Sequence, residues 1–247
     1  MYLKWLQKYN LLAFEDIDST NEEAKRLVQS GAFDKLVIWS KSQSDGKGRY
    51  GRKWESGEGN LFLSILMPIT CSLEKSTQLS FAMSLAVADV IESLSIKHKI
   101  DLDIKLKWPN DVLINGKKIS GILMESLPEI ADDWVILGLG LNVETSPNLE
   151  DTTSLHELGI KCSVGEILGM VMNQFDYYHD MWIIYDFPNI RKIWLKKAFK
   201  LGEVVTVSDM KKRISGTFDS LEEDGAIKVK LASGEDFVLT TGEIFFG

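Results

Sequence analysis

Residues 107–125 read KWPNDVLINGKKISGILME, and the fold turns on the dipeptide near their middle. Asn115-Gly116 sits between two apolar runs, and Asn-Gly is the pair that best tolerates the positive φ angles of a two-residue hairpin. The stretch therefore predicts two antiparallel strands and no helical crossover between them. Upstream, IKLKW (104–108) alternates as a further strand, which Pro109 interrupts. Downstream, DWVILGLGLNV (133–143) is a buried strand in which Gly138 and Gly140 leave room for a ligand or a neighbouring backbone.

Helices surround these strands. Between residues 77 and 94, Leu79, Ala82, Met83, Ala86, Val90, Ile91 and Leu94 recur every three or four positions, the spacing of a helix packed on a sheet. Residues 164–182 keep the same period, and IRKIWLKKAF (190–199) reads as another helix. Near the N-terminus, DSTNEEAKRLVQSG predicts a short helix with Thr20 as N-cap, Glu23 as capping-box partner and Gly31 as stop. KLVIW (35–39) and NLFLSILMP (60–68) read as strands, the second covered on both faces. Strands and helices mix without βαβ alternation, which predicts an α+β fold. After Phe199 the texture changes to short strand-like pieces punctuated by Asp224-Gly225 and Ser233-Gly234, the pattern of a small all-β unit. The division falls at 1–199 and 200–247. A segment of 48 residues has a marginal core of its own and is expected to lean on the first part.

Composition bounds the function. The 247 residues are 45% hydrophobic and carry a formal net charge of −8, so a sizeable core is available and broad, non-specific binding to nucleic acid is disfavoured. The N-terminus lacks a secretory pattern, no run approaches about 18 apolar residues, and the expected address is the cytoplasm, away from membranes. Cys71 and Cys162 lie far apart with no CxxC or His cluster, which suggests neither a zinc site nor a disulfide scaffold.

Against that acidic background, SKSQSDGKGRYGRKWES (40–56) gathers Lys41, Lys47, Arg49, Arg52 and Lys53 around three glycines and ends near Trp54. Glycines expose backbone N–H groups, and arginines offer forked donors to phosphate or carboxylate. The GxxxxGK[ST] phosphate loop is not met, because Gly51 is followed by Arg52 and Lys53. A solvated surface loop would explain this segment taken alone, as ordinary sheet lysines would explain Lys107 and Lys118.

The two segments together change the reading. GKGRYGRKW (46–54), KWPND (107–111), Lys118 and GILME (121–125) follow one another with STN (19–21) ahead and GLGLNV (138–143) behind. In that order they resemble the biotin protein ligases, a family with a GRGRxGRxW loop and a KWPND segment followed by a lysine and a GILxE strand. The resemblance spans residues 15–145 strongly and the tail loosely. It implies a mixed β-sheet flanked by helices, followed by a small C-terminal SH3-like β-barrel. It also implies a two-step reaction: ATP and biotin, with Mg²⁺, give biotinyl-5'-AMP and pyrophosphate, and biotin then passes to a lysine of a biotin carboxyl carrier protein or domain.

By the same resemblance, Ser19, Thr20, Gln43, Gly46, Arg49, Lys118, Gly121 and Ile122 would bind biotin. Lys47, Arg49, Arg52, Trp54, Lys107, Asn110, Lys118 and Asn142 would bind the nucleotide. Arg49, Lys107, Asp111 and Lys118 would be catalytic, with Asp111 orienting the incoming lysine, and the metal contacts are unassigned. Lys47 departs from the family's usual arginine, keeping the charge and losing the fork. Some family members carry an N-terminal DNA-binding domain; here the DSTNEE segment begins by residue 18, so the ligase-only form without DNA binding is expected. A homodimer is left open. Two rivals stand: a lipoate-protein ligase, which shares the acyl-adenylate chemistry, and a silent module that binds carrier domains.

Overall fold

In the computed structural model, Asn115 (φ 51°) and Gly116 (φ 79°) both take left-handed backbone angles. They close a hairpin between β5 (Asp111–Ile114) and β6 (Lys117–Leu127). The structure describes residues 4–31, 34–127, 131–209 and 212–245. Around the hairpin, β1 (Asn10–Ile17), β2 (Leu36–Gln43), β3 (Leu61–Pro68), β4 (Ile104–Lys107) and β7 (Ala131–Leu141) complete a seven-stranded sheet in the order β1-β2-β3-β7-β6-β5-β4. Only β1 and β2 pair in parallel, so the sheet is mixed. β1 carries no signal in the sequence reading: it is an edge strand with no fully buried residue.

Helices cover both faces of this sheet. α1 (Thr20–Gln29) lays Ala24 and Val28 on Ile38, Leu66 and Ile136. On the opposite face, α3 (Leu79–His98) follows the one-turn α2 (Leu73–Ser76) and packs with α4 (Val164–Tyr185) and α5 (Phe187–Lys197). α3 is buried nearly all round, from Leu79 to Leu94. By length and mean hydropathy (1.6), residues 73–98 match a membrane span that no unbroken apolar run announces, and 72% of that window is buried inside the protein. The start of α1 differs from its expected cap. Ser19 is the N-cap and makes no side-chain cap bond. The Thr20 hydroxyl donates to Gln43 and accepts from Ser64, and Glu23 is taken by Arg26.

The C-terminal part corrects the predicted barrel. β8 (Val204–Ser208), β9 (Arg213–Leu221), β10 (Ile227–Lys230), β11 (Asp236–Leu239) and β12 (Glu243–Phe245) form an open sheet in the order β11-β10-β9-β8-β12. No ladder joins the edge strands β11 and β12, although residues 240–242 connect them directly. Closure needs staggered hydrogen bonds along a full edge, and these edges are four and three residues long. The Gly242 carbonyl beside the β12 edge is instead engaged by Arg49.

The small sheet shares its core with the large one. Val205, Val207, Phe218, Leu221, Ile227 and Val229 join the cluster that holds α3 and α4. Trp108 Nε1 donates to the Gly225 carbonyl at 2.9 Å and Gln78 Nε2 to that of Glu223 at 3.1 Å. The segment KWPND is thereby braced by the second sheet through Trp108.

Candidate active site

The N-terminal half of β6 and the C-terminal end of β7 bring two glycines face to face: Gly121 and Gly140 are register partners. Without side chains they form a flat patch on which the Trp54 indole lies. A Cβ at Gly140 would stand 2.4 Å from Trp54 Cε2, and one at Gly121 2.9 Å from Cζ3. The patch floors a cleft of about 340 Å³ whose walls come from the loop around Arg49, the start of α1, the β4–β5 turn, the 147–152 segment and Glu243.

Cations crowd one wall. Lys118 Nζ lies 2.7 Å from Asp111 Oδ1 and 5.3 Å from the centre of the Trp54 ring. Its backbone is fixed twice: its N–H donates to Asp151 O at 2.7 Å and its carbonyl accepts from Thr153 N at 3.0 Å. Lys107 stands opposite Asp111 in the β4–β5 pair. Burial pushes its ammonium below the ordinary lysine range, more than the nearby Asp111 charge restores. Arg49 is depressed by burial as well. Its Nη1 donates to Gly242 O at 3.0 Å, and its guanidinium sits 4.9 Å above the Tyr50 ring. Arg52 lies 5.7 Å from the same ring and pairs with Glu243. Tyr50 takes φ 59°, ψ 31°, a conformation that costs a non-glycine residue about 1–2 kcal/mol. Its ring lies within cation–π distance of both guanidiniums and offsets part of their mutual repulsion.

The opposite wall is neutral and polar. Gln43 Oε1 accepts from the Thr20 backbone N–H at 2.8 Å, and Gln43 Nε2 donates to Ser56 Oγ at 3.0 Å. Ser19, Thr20 and Asn21 are all buried at the start of α1. Asn110 Nδ2 donates to Ile122 O at 2.7 Å, locking the β4–β5 turn to β6. Asn142 Nδ2 donates to Thr153 O at 3.0 Å, whereas its Oδ1 is buried without a partner.

Comparison with known proteins decides what this cleft belongs to. Residues 13–142 match the Biotin/lipoate A/B protein ligase family. The chain belongs to that family. It is 30% identical over 241 residues to the biotin-[acetyl-CoA-carboxylase] ligase of Paracoccus denitrificans, covering 93% of this chain and 98% of the relative. It is 28% identical to the bifunctional ligase/repressor BirA of Bacillus subtilis (strain 168), over 91% of this chain and 70% of that protein. Its structure superimposes on the biotin protein ligase from Aquifex aeolicus in complex with biotin and ATP with a TM-score of 0.80 at 29% identity, covering 96% and 97% of the two chains.

Within this ligase fold, most residues singled out from the sequence meet in one place. Ser19, Thr20, Gln43, Lys47, Arg49, Arg52, Trp54, Asn110, Asp111, Lys118, Gly121, Ile122 and Asn142 all line the cleft. Two do not. Gly46 is buried behind the wall, where a Cβ would stand 2.4 Å from Ser56 Oγ. Lys107 flanks the cleft through its cross-strand partner Asp111. Residues not singled out from the sequence also line it: Asn21, Leu149, Asp151, Thr152 and Glu243. For Asn21 the signal was present, since it closes the STN triplet. For Glu243 none existed, because it arrives from the other sheet.

Proposed function

We infer that the chain is an ATP-dependent biotin protein ligase, which activates biotin as biotinyl-5'-AMP and passes it to a protein lysine. The observation that carries this reading is the convergence of Arg49, Lys118, Asp111 and the Gly121–Gly140 floor in one cleft, within a chain that matches a biotin ligase over nearly its whole length. The P. denitrificans relative favours biotin over the lipoate alternative, and the retained cations disfavour a silent module.

In the first step a biotin carboxylate oxygen attacks the α-phosphorus, the α–β phosphoanhydride bond breaks, and pyrophosphate departs. Two anions must approach each other and charge gathers on the transferring phosphoryl group. Preorganised cations in a water-poor cleft are suited to that task. Lys118 and Arg49 are proposed to hold the carboxylate and α-phosphate, with Lys107 adding charge beside them. Lys118 is paired with Asp111, so anion binding would redirect Lys118 and release Asp111. In the second step the acceptor amine attacks the anhydride carbonyl and AMP leaves. Asp111, freed from Lys118, is proposed to orient that amine, on a biotin carboxyl carrier domain.

Among the described residues no group of three His, Cys, Asp or Glu could cage an ion. Mg²⁺ bound with a nucleotide draws most ligands from phosphates and water and needs few from protein, and the unpartnered Asn142 Oδ1 fits such a contributor. When bound, the metal would supply Lewis-acid charge to the triphosphate.

The test is to supply biotin, lipoate and octanoate separately, each with ATP, Mg²⁺ and its apo carrier domain, and to weigh the carrier. Addition of one biotinyl group alone is expected. Modification by lipoate or octanoate instead overturns the assignment, and no addition from any acid favours the silent module.

A further inference from the structure

The ladder between β3 and β7 ends at the pair Leu61–Leu141. One residue beyond it, a side chain takes the place of a strand. Asn60 Oδ1 accepts from three successive backbone N–H groups: Val143 at 2.8 Å, Glu144 at 3.1 Å and Thr145 at 3.3 Å. Its Nδ2 donates to Thr145 Oγ1 at 3.3 Å. Facing three N–H donors fixes the amide's orientation, because only its oxygen accepts. The Glu144 N–H is shared with the Gly59 carbonyl at 3.1 Å, which relieves an oxygen that has two lone pairs. Asn60 is buried, so little water competes for these bonds.

The stretch held in this way is the root of one wall of the cleft. Asn142 immediately precedes it. The Asn142 N–H donates to Ile119 O at 2.9 Å, its carbonyl accepts from Leu155 N at 3.2 Å, and its Nδ2 donates to Thr153 O at 3.0 Å. These ties leave Oδ1 without a partner on a residue that lines the cleft. Two residues after Thr145, Pro147 opens the segment that lines the cleft with Leu149, Asp151 and Thr152. The far end of that segment is tied to β6, through the backbone bonds of Lys118 to Asp151 and Thr153. Its near end is tied to the start of β3, through Asn60 and Gly59.

We propose that Asn60 is a positioning residue for the nucleotide: by standing in for a strand at residues 143–145, it sets where Asn142 and the 147–152 segment stand and thereby how well ATP is held. The inference rests on the biotin ligase reading, which puts Asn142 on the nucleotide side, and deepens it. Asn60 does not itself line the cleft.

Asn60→Ala removes the shared acceptor. Pyrophosphate release measures the KM for ATP, and calorimetry without nucleotide measures biotin affinity. N60A is expected to raise the KM for ATP about ten-fold, the scale of one buried hydrogen-bonding group lost, while nucleotide-free biotin affinity stays within about two-fold of the parent. Asn60→Asp keeps the acceptor and adds charge to its bonds, so it should return the KM for ATP to within about three-fold of the parent. A merely structural role would lower the thermal midpoint and the active fraction of N60A and leave its KM for ATP unchanged; that result overturns the proposal. So does an equal loss of ATP and biotin binding, or an N60D protein as impaired toward ATP as N60A. Asn60→Ser, whose shorter hydroxyl cannot reach all three N–H groups, should raise the KM for ATP by an intermediate amount, and its contrast with N60D decides the matter if N60A does not fold. A parent that forms no adenylate from biotin overturns the functional reading instead, a result visible before any variant is made.

Discussion

The cations of the cleft come from two regions built on different principles. Lys107 and Lys118 stand on strands, with neighbours fixed by the β4–β5–β6 ladder and by backbone hydrogen bonds to residues 151 and 153. Lys47, Arg49 and Arg52 stand on a loop. Its internal order consists of the Lys47–Lys53 bridge, the Gly48 N–H to Arg52 O bond at 2.7 Å and the Trp54 N–H to Gly46 O bond at 2.9 Å. Its arginines are further tied to the second sheet, at Gly242 and Glu243. Strand-borne charge is preorganised, so its loss should strike chemistry. Loop-borne charge is conditional, so its perturbation should strike closure and exposure.

The largest effect is therefore expected from the strands. Lys118→Ala should slow biotinyl-AMP formation by about 10²-fold or more, the scale for removing one preorganised group aimed at transition-state charge. The fold should survive, because Lys118 is half-exposed and its backbone bonds remain. A rapid-quench assay that finds adenylate at the parent rate would dissolve the distinction between the two regions.

A smaller effect should come from the floor that both regions share. Gly140→Ala places a methyl 2.4 Å from the indole of Trp54, and overpacking of this kind costs typically 1–3 kcal/mol when a neighbour cannot yield. Trp54 belongs to the loop and can yield. The expected result is a shift in tryptophan emission with roughly ten-fold weaker biotin binding and little change in thermal midpoint. An unfolded G140A protein would mean that the loop is as rigid as the strands.

The sequence made one of these regions more legible than the other. Period and turn chemistry exposed α3, α4 and the Asn115-Gly116 hairpin, since those signals lie within a few residues of one another. The motif residues of the cleft were legible through the family resemblance. What stayed hidden depends on distant partners. β1 is a strand because β2 pairs with it, and nothing in NLLAFEDI requires an edge position. The barrel was expected from the family resemblance, and strand count and turn spacing, which do not encode whether two short edges meet, could not correct it. Thr20 was read as a cap because its spacing to Glu23 suits one, yet Gln43, 23 residues away, takes its N–H. Asn21 bonds both Glu125 of β6 and Ser64 of β3, contacts that leave no local trace.

Ligand binding should separate the regions more gently. The like charges and glycines of the 43–54 loop favour opening when no anion is present. Trypsin is expected to cut after Lys47, Arg49 or Arg52 several-fold faster in the free protein than with biotin, ATP and Mg²⁺, while cleavage after Lys107 and Lys118 stays slow in both. Equal loop cleavage in the two states, with adenylate verified in the same sample, would remove the conditional character assigned to the loop.

The smallest effect should come from Glu243→Gln, which cuts the loop's ionic tie to the second sheet while leaving every strand-borne group in place. Arg52 is 61% exposed and Glu243 27% exposed at their side chains. Such a pair contributes at most about 1 kcal/mol, less in salt. Thermal stability should barely move, and adenylate formation should stay within about three-fold of the parent because Arg49 keeps its hold on Gly242. The measurable change should appear in tryptic cleavage of the free protein. Losing up to about 1 kcal/mol from the closed form raises the open population as much as five-fold, and cleavage after Arg52 should accelerate by a similar factor. Raising ionic strength in the parent should reproduce part of that acceleration and add nothing in E243Q. If salt accelerates both proteins equally, the tie between the sheets does not hold the loop, and the Arg49 contact with Gly242 carries the closure alone.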